Sequence, residues 1–292
     1  MIKWFDPHIT AKEIESVTSI IKSKFWASGS GINNVQKFEQ QFLKYTNSKS
    51  CVAVNNGTSA LFLALSLFNI NKKEVLVPSL TFVSTVSSII QNGGKPVFVD
   101  VDPTTLCIDP NDIQKKISKN TAAIIPVHFA GFPANLLKIK KIIKNSNIKI
   151  IEDAAHAAGT SYNDKMIGGF SDAVCFSFHP VKNLAMPTGG AICLNKKNYK
   201  KHENLLKSLR WCGIENRKGT SYDVKQLGWN FYMNEISASI GLIQLKKLNQ
   251  LNKKRKSIAK RYSSELNVVS KMPYSKNCSY HYYWICVKNR SK

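Results

Sequence analysis

Between residues 51 and 195, short runs rich in Val and Ile alternate with longer stretches of helical pattern. The short apolar runs are typical of buried strands, and the longer stretches are typical of helices that cover a sheet. Alternating strands and helices imply an α/β fold, with a mostly parallel sheet covered on both faces. The predicted strands are residues 51–54, 75–77, 97–101, 123–128, 149–152, 174–178 and 191–194, and the predicted helices are residues 58–68, 82–91, 110–117 and 136–145.

The pattern changes after Asn195. Residues 199–211 predict a helix, and a loop then runs to residue 230. Residues 234–248 and 253–266 are typical of long amphipathic helix, and residues 280–287 are aromatic and β-like. A chain of 292 residues can form a large domain and a smaller one. We expect a large domain over residues 1–230 and a partial small domain over residues 231–292, with the N-terminal segment packed on the small domain.

The chain carries 42 basic and 18 acidic residues, a net charge of +24. Such an excess is compatible with nucleic-acid binding. It also fits lysines spread over solvated helix faces, as in residues 136–141. Because no zinc-finger spacing and no aromatic RNA-binding signature accompany the charge, we expect no nucleic-acid partner. The positive field would still attract phosphorylated cofactors and anionic substrates.

No apolar run is long enough to predict a membrane span, and residues 1–6 lack the apolar core of a secretory signal. The seven cysteines occur singly, without a Cys-x-x-Cys pair or metal-like spacing. Scattered cysteines of this kind are typical of reduced thiols in a cytosolic protein. We therefore expect a cytoplasmic protein without membrane association and without a metal site.

Residues that suit chemistry follow the carboxyl ends of the predicted strands, where ligands bind in sheets of this kind. They come from five or six separate strand ends, so their convergence is stronger evidence than any one of them. These residues are Gly57, Thr58, Phe82, His128, Asp153, His156, Ser177 and Lys182.

Lys182 is the most informative of these residues because its amine could form a Schiff base. It lies five residues after Ser177 and shortly before Gly189 and Gly190, which allow close approach of the backbone. A lysine must be partly deprotonated to attack an aldehyde, and burial beside a cation lowers a lysine pKa. Most lysines of this chain are solvated, and only the sequence context distinguishes Lys182.

Gly57 and Thr58 lie between a predicted strand and a predicted helix, where free N–H groups and the helix dipole can hold a phosphate. An ordinary helix cap needs the same residue types. Ser177, at the end of another strand, could add a hydroxyl to the same phosphate. The carboxylate of Asp153 could keep a pyridine nitrogen protonated, or it could simply cap a helix.

His156 could reach a ring hydroxyl of such a cofactor, and Phe82 could stack on its flat ring. Each of these two residues is equally compatible with a structural role. Taken together, an amine, phosphate donors and a carboxylate at neighbouring strand ends predict a site for pyridoxal 5'-phosphate, whose ring supplies the electron sink.

With these motifs the sequence resembles the DegT-type nucleotide-sugar aminotransferases, which have the fold-type-I architecture of pyridoxal-phosphate-dependent transferases. The order and spacing of the motifs agree over most of the chain. The motifs are residues 38–39, 56–61, 77–82, 152–156, 177–183 and 228–230.

The resemblance implies a role for each site residue. Lys182 forms the Schiff base, Asp153 pairs with the pyridinium, His156 meets the ring hydroxyl, Phe82 stacks on the ring, and Gly57, Thr58 and Ser177 hold the phosphate. Asn230 would reach a phosphate in the neighbouring subunit of a homodimer with shared active sites. The implied reaction moves an amino group from an amino acid, usually glutamate, to a keto group of a nucleotide-linked sugar, with Lys182 relaying the proton.

Three departures from the family pattern stand out. Residues 186–190 read Met-Pro-Thr-Gly-Gly where the family usually has Thr-Gly-Glu-Gly-Gly. Tyr232 replaces the usual arginine two residues after Asn230, so recognition of the substrate or donor is expected to differ. The sequence ends at residue 292, soon after a late family motif at residues 280–282, so the resemblance predicts a shortened C-terminus and an incomplete small domain.

Alternatives remain open at this point. A pyridoxal-dependent sugar dehydratase would share the scaffold, but such relatives typically replace the lysine by histidine. A non-catalytic homologue that binds the cofactor and a basic nucleic-acid-binding protein are alternatives from other classes.

Overall fold

The computed structural model of the protein describes residues 5–287. Within them lie one seven-stranded sheet, three two-stranded sheets and the helices that surround the large sheet. The helices are α1 (Ala11–Ser23), α2 (Asn34–Thr46), α3 (Gly57–Ser66), α4 (Val83–Gln91), α5 (Pro110–Lys116), α6 (Leu136–Ile142), α7 (Tyr199–Leu209) and α8 (Glu235–Glu265), with a 3-10 turn at Phe129–Gly131. The strands are β1 (Ser50–Val54), β2 (Glu74–Pro78), β3 (Lys95–Val99), β4 (Thr121–Ile124), β5 (Lys149–Asp153), β6 (Ser161–Tyr162), β7 (Lys165–Met166), β8 (Ala173–Ser177), β9 (Gly190–Leu194), β10 (Ile214–Lys218), β11 (Ser221–Val224), β12 (Ser270–Lys271) and β13 (Ile285–Cys286).

The large sheet has the strand order β1-β9-β8-β5-β4-β2-β3. Strands β8, β5, β4, β2 and β3 pair in parallel, and β9 is antiparallel to both of its neighbours, β1 and β8. Every strand of this sheet except β9 therefore runs in one direction. The predicted mostly parallel α/β sheet is confirmed.

The side chains of β8 show why the sheet is covered on both faces. Val174 and Phe176 belong to an apolar cluster with residues of α2 and α8, whereas Ala173 and Cys175 belong to a second cluster with residues of α3 and α7. Side chains alternate between the faces of a strand, so a strand buried on both faces reads as a continuous apolar run. This three-layer packing fixes the strand ends that carry the polar residues.

Asparagine side chains cap the N-termini of two helices, α3 after β1 and α8 after the segment around Asn230. The side chain of Asn56 accepts a hydrogen bond from the N–H of Ser59 at 2.8 Å, at the start of α3. Asn234 does the same for the N–H of Ser237 at 2.8 Å, at the start of α8. Asparagine is among the best N-cap residues. The cap at Asn56 places the first turn of α3 directly at the carboxyl end of β1.

Helix α8 is continuous over Glu235–Glu265, whereas the pattern predicted two stretches, residues 234–248 and 253–266. No Gly or Pro interrupts the chain between these stretches. The buried side chain of Asn252 accepts a hydrogen bond from Asn183 and donates one to the carbonyl of Ala158, both at 2.9 Å. Tertiary contacts of Asn252 thus stabilise the helix through the mostly polar residues 249–252, which separated the two predicted helical stretches.

The N-terminal helix α1 packs against α8. The buried carboxylate of Glu13 accepts hydrogen bonds from Gln244 at 2.8 Å and from Lys247. This contact lies between the N-terminal segment and residues that were predicted to belong to the small domain. The division of the chain at residue 230 stays a prediction.

The tail was predicted to be β-like over residues 280–287, but only β13 forms a strand there, paired with β12. Tyr280 has a φ of 48°, in the left-handed region, which interrupts an extended chain. The tail instead packs on the 3-10 turn, where the N–H of His281 donates to the carbonyl of Ala130 at 2.9 Å. Residues 288–292 of the predicted small domain lie outside the described residues.

The helices and the cysteines indicate whether the described chain has membrane spans or disulfide bonds. No helix within residues 5–287 is long and apolar enough to cross a bilayer. All seven cysteines are free thiols, and Cys212 and Cys286 are the exposed ones.

Candidate active site

A cavity of about 360 Å³ lies at the carboxyl ends of β1, β2, β5 and β8. We call it the cofactor cavity. Its volume is within the range of small-molecule sites, which is about 300–1,000 Å³. Seven of the nine candidate residues named from the sequence line it, namely Gly57, Thr58, Phe82, Asp153, His156, Ser177 and Lys182. The other two, His128 and Asn230, do not line this cavity.

The first turn of α3 offers hydrogen-bond donors to the cofactor cavity. Within residues 5–287, the backbone N–H groups of Gly57 and Thr58 have no hydrogen-bond partner. A Cβ added to Gly57 would lie 2.7 Å from the Cβ of Ser177, so only glycine allows β8 to approach the helix this closely. Two free amides at a helix N-terminus and two adjacent hydroxyls, those of Thr58 and Ser177, form a site suited to a phosphate.

Asp153 ends β5 as a buried carboxylate with two donors. Its Oδ2 accepts a hydrogen bond from the hydroxyl of Thr85 at 2.8 Å, and its Oδ1 accepts one from the N–H of Ala155 at 3.1 Å. The hydroxyl of Thr81 lies 2.8 Å from that of Thr85. Because the Thr85 hydrogen is used on Asp153, Thr81 donates to Thr85. This hydroxyl chain, which the sequence analysis missed, fixes the orientation of the carboxylate.

Lys182 lies in the loop between β8 and β9, and its backbone N–H donates to the carbonyl of His179 at 2.8 Å. Burial lowers the pKa of the Lys182 amine, and the nearby Asp153 carboxylate opposes that effect only in part. A lowered pKa increases the fraction of neutral amine, which is the nucleophilic form. The position therefore suits covalent chemistry with an aldehyde.

His156 is held in one tautomer by the backbone. Its Nδ1 accepts a hydrogen bond from the N–H of Ala130 at 3.3 Å, so the proton of the neutral ring is on Nε2. Burial, together with the charges of Lys182 and His281, lowers the pKa of His156 to about 2. The ring therefore stays neutral at physiological pH and offers Nε2–H as a donor.

Aromatic residues of the C-terminal segment 280–287 pack against the ring of His156. The ring of His281 stacks on that of His156 with centroids 4.5 Å apart, and the ring of Tyr282 contacts it edge-on at 5.3 Å. Residues 280–282 were noticed in the sequence as a late family motif but were not assigned to the site. Only the folded chain brings the tail against the end of β5.

Phe82 lines the cofactor cavity, whereas His128 is buried outside it. Phe82, the residue before α4, is 70% exposed at the cavity, so its ring is available to a ligand or a partner. His128 does not line the cavity. It is fully buried, with its Nε2 2.8 Å from Glu152 and its Nδ1 accepting from the N–H of Ala134 at 3.1 Å. His128 is therefore satisfied as a structural residue.

Asn230 is exposed, and its backbone forms an antiparallel bridge with Trp211. Its carbonyl accepts a hydrogen bond from the side chain of Asn55 at 3.4 Å, and the N–H of Asn55 donates to Phe231 at 2.7 Å. The Asn230 segment is thus fixed beside the residue that precedes the α3 cap. Its predicted role in a neighbouring subunit stays a prediction.

The residues of the cavity fit pyridoxal 5'-phosphate. Free amides and hydroxyls at α3 and β8 match the phosphate, and the buried, doubly hydrogen-bonded carboxylate of Asp153 matches the ring nitrogen. The neutral imidazole of His156 matches a ring oxygen, and the amine of Lys182 matches the aldehyde. Each functional group of the cofactor has a chemical counterpart among the lining residues.

Comparison with known proteins identifies relatives along almost the whole chain. The model of the DegT/DnrJ/EryC1/StrS aminotransferase family matches residues 7–292. The spore coat polysaccharide biosynthesis protein SpsC of Bacillus subtilis is 36% identical over 264 residues, which cover 88% of this chain and 67% of SpsC.

Solved structures agree with this family. The candidate sugar aminotransferase Spr1654 of Streptococcus pneumoniae, in its PLP form, has a TM-score of 0.89 at 27% identity, covering 97% of this chain and 77% of Spr1654. PseC of Helicobacter pylori, an aminotransferase involved in the biosynthesis of pseudoaminic acid, has a TM-score of 0.88 at 26% identity, covering 96% of this chain and 76% of PseC.

The predicted fold-type-I architecture and the predicted cofactor, pyridoxal 5'-phosphate, are thereby confirmed. The chain belongs to the DegT/DnrJ/EryC1/StrS aminotransferase family of pyridoxal-phosphate-dependent enzymes.

Proposed function

We propose that this protein transfers an amino group from an amino-acid donor, with glutamate as the first choice, to a keto group of a nucleotide-linked sugar. The observation that carries the proposal is the meeting of Lys182, Asp153 and the free amides of α3 in one cavity. SpsC is described as a polysaccharide biosynthesis protein and PseC as an aminotransferase of pseudoaminic acid biosynthesis. These descriptions support a sugar as the substrate. Pyridoxal phosphate supplies the electron sink when it is bound.

Each lining residue has a separate role toward the cofactor. Gly57, Thr58 and Ser177 hold the phosphate with amides and hydroxyls. Asp153 keeps the proton on the ring nitrogen, which favours electron withdrawal by the ring. His156 would donate a hydrogen bond from Nε2–H to the ring oxygen of the cofactor.

Lys182 has two successive tasks. Its neutral amine would hold the cofactor covalently, and it would be free once an amino donor is bound. The freed amine then moves a proton on the substrate as general base and general acid, which typically contributes about 10²–10⁴-fold. Phe82 would cover the flat ring and exclude water from it.

We include in the proposal a homodimer in which Asn230 contacts a phosphate at the site of the partner. Exposed apolar side chains occur both at the cofactor cavity and near Asn230. Phe82 is 70% exposed, Val83 67% and Leu227 88%. Contiguous exposed apolar surface marks protein interaction sites, and Phe82 and Val83 are adjacent in the chain. A second chain would cover them.

The test is the covalent link itself. Borohydride reduction of the holoprotein should attach the cofactor to Lys182, as mapped by mass spectrometry, and Lys182→Ala should abolish the attachment. Lys140→Ala is the matched control, because burial also lowers the pKa of Lys140, which lies on α6 outside the cofactor cavity. Turnover of glutamate with a panel of keto-sugar nucleotides then tests the substrates. A cofactor adduct on another lysine would refute the site.

A further inference from the structure

A second cavity, of about 350 Å³, meets the cofactor cavity at Lys182. We call it the Arg255 cavity. It is lined by residues of the N-terminal segment, the Lys182 loop and helix α8, and it shares Val181 and Lys182 with the cofactor cavity. A ligand that reacts beside Lys182 can therefore extend into it.

Arg255 on α8 is a half-buried cation that lines this cavity. Within residues 5–287, no carboxylate, carbonyl or hydroxyl accepts a hydrogen bond from its guanidinium. The other arginines in that range all have acceptors: Arg210 has Glu39, Arg217 has the carbonyl of Gly219, and Arg261 has Glu265.

The surroundings of Arg255 do not neutralise it. Burial lowers the pKa of its guanidinium, and no neighbouring group opposes that effect. Arginine nevertheless remains charged in proteins, and burying an unpaired charge is costly. An anionic group in the cavity would remove that cost, so the arrangement favours the binding of one.

Neighbouring charges locate the anion near the reacting lysine. Lys182 and Arg255 both line the Arg255 cavity, so the two cations face one enclosed space. Lys254 adds a further exposed cation to the lining, and among the lining residues within 5–287 Asp6 supplies the carboxylate. The positive side chains thus outnumber the negative ones where the two cavities meet.

We propose that Arg255, assisted by Lys254, binds an anionic oxygen group of a substrate whose reacting end lies at Lys182. The group is a carboxylate of the amino donor or a phosphate of the nucleotide sugar, and the planar guanidinium can hold either through two parallel hydrogen bonds. This inference rests on the proposed function, because that function supplies the two anionic substrates. It makes Arg255 a determinant of substrate affinity.

Equilibrium binding of two unreactive probes tests the inference on the cofactor-loaded protein. Glutarate represents the donor carboxylates and inorganic pyrophosphate represents the nucleotide, and isothermal titration calorimetry measures both affinities. Arg255→Gln should weaken one probe by about tenfold or more, as expected for a lost charge-assisted pair. Arg255→Lys should retain part of the affinity. The probe that responds identifies the substrate that Arg255 holds.

Arg261→Gln is the matched control, because it removes the same charge from the same helix at an exposed position. Its affinity for the responding probe should stay close to that of the wild type. Equal weakening by both substitutions would show that only the overall charge matters, and this would overturn the inference. Unchanged affinity in Arg255→Gln, or no binding of either probe by the wild type, would overturn it as well.

Failure of the proposed function gives a different result. If glutamate does not turn over but probe binding still depends on Arg255, the anion site stands and the assigned reaction fails. Thermal unfolding of each variant, followed by circular dichroism, shows whether the protein is folded.

Discussion

Removal of one hydroxyl, by Thr85→Val, should slow the reaction while leaving the fold intact. Thr85 is fully buried and donates to Oδ2 of Asp153 at 2.8 Å, while the other carboxylate oxygen has the N–H of Ala155 at 3.1 Å. Valine has nearly the same shape as threonine, so packing on α4 is kept. The substitution deletes the hydrogen bond to Oδ2 and leaves that oxygen without a protein donor.

The expected loss of rate follows from the negative charge of Asp153, which accepts the hydrogen bond from Thr85. A hydrogen bond to a charged group contributes about 1.5–3 kcal/mol. If that energy is lost from the arrangement that holds the ring nitrogen protonated, the rate falls by about 10- to 150-fold. The affinity for the amino donor should change much less, because Thr85 does not line the cofactor cavity. The expected result is therefore a lower kcat with a nearly unchanged KM.

Single-turnover absorbance changes of the bound cofactor with glutamate measure the effect. Thr85→Ser restores the hydroxyl and should recover most of the rate, which a purely steric role would not explain. Thr81→Val is the control for the outer end of the hydroxyl chain, because the direct bond from Thr85 to Asp153 survives. A rate of Thr85→Val within about twofold of wild type, less than 0.5 kcal/mol, would refute the reasoning.

Two further predictions concern the dimer and the tail. Mixing equal amounts of inactive Lys182→Ala and Asn230→Ala chains should restore roughly a quarter of the sites, because random pairing under two-fold symmetry makes half of the dimers mixed. No recovery in confirmed mixed dimers would rule out a shared site. Burial lowers the pKa of His281 to about 3, whereas an unfolded histidine titrates near about 6.5, so the unfolded chain binds more protons and stability falls as pH drops between these values. In cofactor-free protein, His281→Gln should make urea stability decline less steeply between about pH 6 and 4, by about 1.4 kcal/mol per pH unit, and an unchanged slope would contradict this pKa.

Local sequence was sufficient to predict where the polar residues of the site would lie. Short β-branched runs and the helical pattern between them depend on neighbouring residues, so they predicted the sheet and the strand ends. Asp153 and Ser177 are the last residues of β5 and β8, and Gly57 begins α3, each within one residue of the predicted boundary. In a mostly parallel sheet such ends meet at one edge, which is why they could be assigned to one cavity.

Only the tertiary structure decided which side chains support these residues. The bond from Thr85 to Asp153 joins positions 68 residues apart, and the stack of His281 on His156 depends on how the tail docks. No periodic pattern encodes such contacts, because they arise from the packing of elements that are distant in sequence. The lack of a hydrogen-bond acceptor for Arg255 within residues 5–287 likewise depends on how the elements pack around it. The sequence therefore determined the elements and the edge at which the site lies, and the packing of the elements decided how its groups are oriented, desolvated and charged.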